Sequence, residues 1–319
     1  MLMSFQDTTK LIESGKTLHI AGTENLLKKL PKGKWVGGST EYFMAKDGGK
    51  VSNELLFVTE FAYEASIKTY SAAEIENVAA DAYDNGFSIA IIPFDSAVHK
   101  EYAHNADGYK DMFMKNIVGW ISGVNLGVPG QIPIAVCGLC ATAFNDKAVV
   151  LHLNVPKNKI VGVNIVNIFA QDESSPVITF AQDGFSAIKC FVDEKEMELS
   201  DYIAQNKIDT KLPLVGDYAG NGVNISFKSI ENGVVSFYAP VFSHIKYRIA
   251  KSIGDYEQEF NSRLAKLKDA KAAFACNCIL NFLYGGLEGK QIDAFAGPIT
   301  FGEIAYQLVN QTLVYVTVD

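Results

Sequence analysis

Residues 71–93 read Ser71-Ala-Ala-Glu-Ile-Glu-Asn-Val-Ala-Ala-Asp-Ala-Tyr-Asp-Asn-Gly86-Phe-Ser-Ile-Ala-Ile-Ile-Pro93. Ser71 with Glu74 three residues on is a capping box, so a helix is predicted from Ser71 to Asn85. Gly86 ends it. Ser88 to Pro93 is then a short apolar run, the pattern of a strand buried on both faces. A helix feeding a buried strand points to α/β layering.

The flanking sequence repeats this alternation. Thr17 to Ala21 reads as a strand. Thr23 caps a short helix that stops at Pro31. Lys34 to Val36 reads as a strand running into the turn Gly37-Gly38-Ser39-Thr40, and Glu54 to Phe61 as another strand. Residues 95–117 are a mixed polar helix or loop. Short apolar segments at 117–124 and 131–137 flank Gly127-Val-Pro-Gly130. Strands follow at 148–154 and 160–169. Gln171 to Pro176 has linker chemistry and marks a domain boundary. Beyond it, strands fit 176–180, 185–192, 222–229, 234–238, 272–280 and 312–318. Helices fit 198–206 and 254–269, the second with Tyr256, Phe260, Leu264 and Leu267 on one face. The expected fold is therefore mixed α/β. Two similar-sized halves, 17–170 and 176–319, carry mixed sheets flanked by helices, in a helix–sheet–sheet–helix stack.

Composition narrows the function. The 319 residues are 48% hydrophobic and 20% charged, which excludes a disordered chain. The net charge is −8, and only Arg248 and Arg263 supply guanidinium groups. Nucleic acid and anionic membranes are thus not expected partners. No basic stretch followed by an apolar run opens the sequence, and no run approaches 18 apolar residues. Five cysteines, an odd and low count, suit free thiols in a reducing cytoplasm.

Several residues could carry chemistry. Cys137 and Cys140 form a C-x-x-C, redox-active if Cys137 opens a helix and otherwise a tight structural turn. Cys276 and Cys278 could complete a zinc set with them, or supply a nucleophilic thiol. The histidines form no ligand-spaced cluster, although His99, His104 or His244 could serve as an axial haem ligand. Ser39, Thr40 and Glu41 follow a Gly pair at a strand end, where backbone can approach a ligand. Gly302 and Glu303 close a second dense turn, 297–303, where Glu303 could accept a ligand amine or bond to neighbouring backbone. Asn310, Gln311 and Thr312 are placed to organise that turn. No complete catalytic set is present, and no cofactor or metal is expected.

The run Gly297-Pro-Ile-Thr-Phe-Gly-Glu303, followed by Val309-Asn-Gln-Thr-Leu313, resembles the C-terminal signature of FIST domains. Phe274-Ala-Cys-Asn-Cys278, Trp35-Val-Gly-Gly-Ser-Thr40, Val118-Gly-Trp-Ile-Ser-Gly123 and Val177-Ile-Thr179 are similar to further family segments and occur in order. The resemblance covers about 17–319. Two departures stand out: Asn281 occupies the place of an Arg common in the family, and Glu41-Tyr-Phe43 replaces small residues. The resemblance implies a cytoplasmic sensory module that binds a small, amino-acid-like molecule between its halves and signals to a separate output protein. Some family members are linked to haem and nitric-oxide sensing. It places Ser39, Thr40, Glu41, Asn277, Gly302 and Glu303 at the ligand. A homodimer is the base-rate expectation.

Overall fold

The computed structural model describes residues 1–218, 221–267, 271–290 and 295–319. The fold is mixed α/β, with several mixed sheets and six helices among these residues. Three of the sheets share one construction. In each, a parallel strand pair is joined by a crossover that contains a helix, and antiparallel strands extend the pair on both sides.

In the first sheet the parallel pair is Thr17–Gly22 with Trp35–Ser39, joined through the helix Glu24–Leu27. In the second it is Gly86–Pro93 with Ile117–Ser122, joined through the helix Ala97–Asn105. In the third it is Ala272–Cys278 with Gly297–Thr300, joined through the helix Ile279–Tyr284. A fourth, antiparallel sheet and a three-stranded ribbon, Gly184–Ala187 with Val234–Val241 and Phe227–Glu231, are built from residues 178–249.

Side-chain alternation places the first two sheets face to face. In Thr17–Gly22, Leu18 and Ile20 turn toward Ile12 and Leu27 of the N-terminal helices. Ala21 turns instead toward Ile89, Ile91 and Trp120 of the second sheet. In Gly86–Pro93, Ala90 and Ile92 face the other way, toward Val98 and Tyr102 of the 97–105 helix. The order is thus helix, sheet, sheet, helix, but both of these sheets are built mainly from residues before 170, whereas the sequence reading expects the stack where the two halves meet.

The sheets do not respect the boundary at 171–176. Glu303–Ala305 pairs with Ile117–Ser122, Gly297–Thr300 with Tyr42–Ala45, and Thr312–Val318 with Val161–Asn167. Residues before 170 and after 270 therefore build one body. The sheet and ribbon of 178–249 form an attached layer.

Several local expectations change. The 71–85 segment forms only half of the predicted capping box: Glu74 Oε2 accepts from Ser71 N and Oγ, but the Ser71 hydroxyl caps no backbone N–H. It then makes only a 3-10 turn, Ile75–Val78. Asp81 is drawn away by Tyr70 Oη at 2.8 Å and Lys68 Nζ at 2.6 Å. Gly37 and Gly38 are strand, not turn: Gly37 is closed in by Ile20 carbonyl, Trp35 and Leu27, and Gly38 by the second sheet. A Cβ on Gly38 would sit 2.5 Å from Ile91 Cγ2 and 2.7 Å from Trp120. The 272–280 strand ends at Cys278, where the helix Ile279–Tyr284 begins. The predicted helix at 254–269 spans Tyr256–Ala265, and its positions 268 and 269 lie outside the described residues. Among the described residues no helix is long and apolar enough to cross a membrane.

Candidate functional site

The C-terminal ends of the three parallel pairs converge. Ser39 carbonyl accepts from Gly123 N at 2.8 Å, which ties the first pair to the second. Thr40 Oγ1 donates to Ile299 carbonyl at 2.8 Å, which ties the first to the third. Ile121 N donates to Gly302 carbonyl at 2.8 Å, which ties the second to the third. Ligands in α/β proteins favour such carboxyl ends, where strands stop and loops diverge.

A cavity of about 280 Å³ opens here. Ser39, Thr40 and Glu41 form one wall, at the step where the chain leaves the first sheet for the third. Thr23, Glu24 and Asn25 follow the neighbouring strand Thr17–Gly22. Gly123, Val124, Gln131 and Ile132 come from both ends of the loop after Ile117–Ser122, and Asn53 completes the rim.

Glu41 is the charged group nearest to burial in this wall, 8% exposed. Its Oε2 accepts from Asn125 Nδ2 at 2.7 Å and its Oε1 from Gln131 Nε2 at 3.5 Å. Both donors are neutral, and no ion pair reaches it among the described residues. Glu24, by contrast, is paired with Lys28 on the exposed side of its helix.

The Ser39 and Thr40 hydroxyls line the cavity but are already engaged. Ser39 Oγ donates to Gly123 carbonyl at 2.8 Å and accepts from Ile134 N at 2.9 Å. Thr40 Oγ1 also accepts from Tyr42 N at 3.2 Å. Their part is to hold the walls together, rather than to supply the free hydroxyl bonds expected from the sequence.

The other three predicted residues lie behind the wall. Glu303 is fully buried. It accepts from Thr300 Oγ1 and Thr312 Oγ1, each at 2.8 Å. Burial pushes its carboxyl up to about 8, against the pull of those hydrogen bonds and of the Cys278 thiol. Asn277 Oδ1 accepts from Asn281 Nδ2 at 2.8 Å. Gly302, at φ +145°, closes the turn before Glu303 in a conformation that favours glycine. A ligand amine at Glu303 is therefore replaced by an internal network. Thr312 belongs to it. Asn310 and Gln311 reach instead to Ser226, with Asn310 Oδ1 accepting from Ser226 N and Gln311 Oε1 from Ser226 Oγ. They anchor the 178–249 layer.

The cysteines do not assemble a metal site; no cluster of three or more His, Cys, Asp or Glu suited to a metal occurs among the described residues. Cys137 ends the strand Ala135–Cys137, and Cys140 sits in the hairpin turn before Thr142–Phe144, not at a helix start. Burial raises the Cys137 thiol. The exposed Cys140 thiol is held below its usual value because hydrogen bonds with Thr142 and Cys137 outweigh burial. Burial holds Cys276 and Cys278 well above the thiol range, so neither offers the thiolate that nucleophilic catalysis needs. In the native protein we expect one rapidly reacting thiol, Cys140, in a titration with an aromatic disulfide reagent. Cys190, Cys276 and Cys278 should react only on unfolding, and rapid native reaction at Cys276 or Cys278 would contradict their burial.

His99 is buried, with Nδ1 accepting from Asp95 N at 3.2 Å. Burial lowers it to about 3. His99 and His104 both pack on Phe185, with ring centroids 5.5 and 5.4 Å away. His244 is exposed beside Phe242.

Asn125, Gln131, Thr23, Asn25 and Asn53 were not foreseen as site residues. The Gly-Pro-rich loop around 127–130 is a sequence signal for Asn125 and Gln131; Thr23, Asn25 and Asn53 carry none beyond the helix cap at Thr23.

Fold and site together define a mixed α/β protein with a polar, acid-walled cleft where three parallel strand pairs end. The chain belongs to a family of unknown function, DUF6976, whose model matches residues 3–319. Comparisons with curated proteins and with solved structures find no match.

Proposed function

We propose that this protein is a small-molecule-binding sensory module whose site is the Ser39–Glu41 cleft. The observation that carries the reading is Glu41, a nearly buried carboxylate that lines a cavity and forms no ion pair among the described residues. A buried charge of this kind is costly unless something pairs with it. A ligand amine supplies that partner, and the amino-acid-like ligand that the FIST resemblance implies would be one source of it. The cleft is lined by residues 23–132 alone, so its position differs from the between-halves site that the FIST resemblance implies.

The FIST-like segments around 297–313 support a sensory role through architecture. Binding at Ser39–Thr40 would bear directly on Ile299 and, through Gly123 and Ile121, on Gly302. A ligand that favours one arrangement of these contacts would shift a population between two states. The signal would pass to a separate output protein in the cytoplasm, in keeping with the acidic composition and free thiols.

The test is native mass spectrometry of purified protein against its denatured mass, paired with a thermal-shift screen of small amines. The expected result is a small adduct, or a stabilising compound, whose effect is lost in Ile132→Trp at the rim. A compound that stabilises Ile132→Trp equally well would move the site elsewhere.

A further inference from the structure

Resting on the reading of the cleft as a ligand site, we infer that it takes a small organic monocation, a primary amine with hydroxyl groups and no carboxylate, with Glu41 as its counter-ion. The argument is one of charge balance. The cavity wall carries two carboxylates, Glu24 and Glu41, and no lysine, arginine or histidine. Glu24 is balanced by Lys28; Glu41 has only the amides of Asn125 and Gln131. An amino-alcohol brings one positive charge, and the pair is neutral. An α-amino acid brings the same ammonium together with a carboxylate that would meet no cationic partner and lie within a confined volume next to Glu41. Like charges at short range beside a nearly buried group repel.

The remaining chemistry of the wall agrees. Asn25 and Asn53, both exposed at the rim, offer amide groups that can donate to or accept from a hydroxyl. Val124 and Ile132 supply apolar surface for a short carbon chain. A volume of about 280 Å³ is ample for a small amino-alcohol or an amino sugar.

Asn125 and Gln131 give the site its selectivity for charge. They fix both carboxylate oxygens from the loop side and leave Glu41 oriented before a ligand arrives. Because they are neutral, they satisfy hydrogen bonds and leave the negative charge in place. A lysine in either position would cancel the site.

Three probes with one carbon skeleton separate the possibilities: serinol, L-serine and glycerate. Binding is read from amide shifts of Thr40 and Gly123 in heteronuclear NMR titrations and from calorimetry. Serinol should bind, L-serine should bind at least tenfold more weakly, and glycerate should give no saturable shift. Glu41→Gln should weaken serinol roughly tenfold to a hundredfold, as expected for loss of a charge-assisted bond. Glu24→Gln should change it less than about threefold, because Lys28 already pairs with that group. The folded state of each variant is checked by the same spectra. L-serine or glycerate binding in the cleft as tightly as serinol would overturn the charge assignment while leaving the cleft as a ligand site. The same holds if Glu24→Gln equals Glu41→Gln in effect. Unmoved Thr40 and Gly123 amides with all three probes and with glucosamine would overturn the cleft reading itself.

Discussion

Glu303→Gln should remove a fall in stability that the native protein shows between about pH 4.5 and pH 8. The folded carboxyl holds its proton up to about 8 because it is fully buried, whereas the unfolded one releases it near 4.5. Across that window the folded state binds one more proton than the unfolded state. Stability from this group is therefore fully present below the unfolded value and is lost as pH rises through the folded one. The slope is at most about 1.4 kcal/mol per pH unit. Glutamine carries no titratable proton and can keep the geometry. Thr300 Oγ1 has a second acceptor in the Asn277 carbonyl at 3.2 Å, so it can turn its hydrogen there and accept from the new amide. His19 and His99, lowered to about 3, and His152, lowered to about 4, act in the opposite direction below pH 6.5. They are common to both proteins and cancel in the difference. Urea unfolding at four pH values from 5 to 8 gives that difference, and parallel curves for the two proteins would mean that Glu303 is ionised in the fold.

Gly119→Ala should be the more damaging substitution. Gly119 lies in the middle of Ile117–Ser122, at φ +153°. A Cβ there would come within 1.9 Å of Ala90 carbonyl oxygen and 2.7 Å of Ala90 N in the parallel neighbour. These are backbone atoms of a central strand and cannot swing aside. The second strand pair would have to separate at the point from which it runs to the cleft. We expect a loss of more than about 3 kcal/mol, at the upper end for overpacking. Gly130→Ala is the matched control. Its φ of +81° is also unfavourable to alanine, but nothing lies within 4 Å of the added methyl. Its cost should be about 1–2 kcal/mol, from backbone strain alone. Equal midpoints for the two variants in urea would show that the strands relax more easily than their registry suggests.

Much of the layering was readable from local pattern. The strands Gly86–Pro93, Ala148–Asn154 and Thr312–Val318 announce themselves as mostly apolar runs because both faces of each are largely covered. Thr23 acts at the position its side chain suggests, accepting from Leu26 N, since capping needs only neighbours in sequence. What was not readable depends on distant partners. Nothing near Asp81 says that Tyr70 and Lys68 will claim it and cut a helix short. Nothing near Gly37-Gly38 says that a second sheet will press on them; a glycine pair looks like a turn until Ile91 and Trp120 are in place. The site divides in the same way. Ser39, Thr40 and Glu41 could be picked out because they follow a strand end, a feature of local order. Glu303 looked equally available, and only the third dimension reveals Thr300 and Thr312 enclosing it. Asn125 and Gln131 are ordinary amides in a loop until Glu41, 84 and 90 positions away, meets them.

The joint between Thr40 and Ile299 spans 259 positions of sequence. Tyr42–Ala45 likewise waits for Gly297–Thr300, and Val161–Asn167 for Thr312–Val318. During synthesis at roughly 5–20 residues per second, the early strands therefore spend many seconds without their final neighbours. The third sheet, and the rear of the cleft with it, can form only after some 300 residues have left the ribosome. Long-range pairing of this kind folds slowly and leaves apolar strand edges exposed meanwhile. In this architecture the nascent chain's unpaired strand edges stay open to aggregation until Thr312–Val318 arrives.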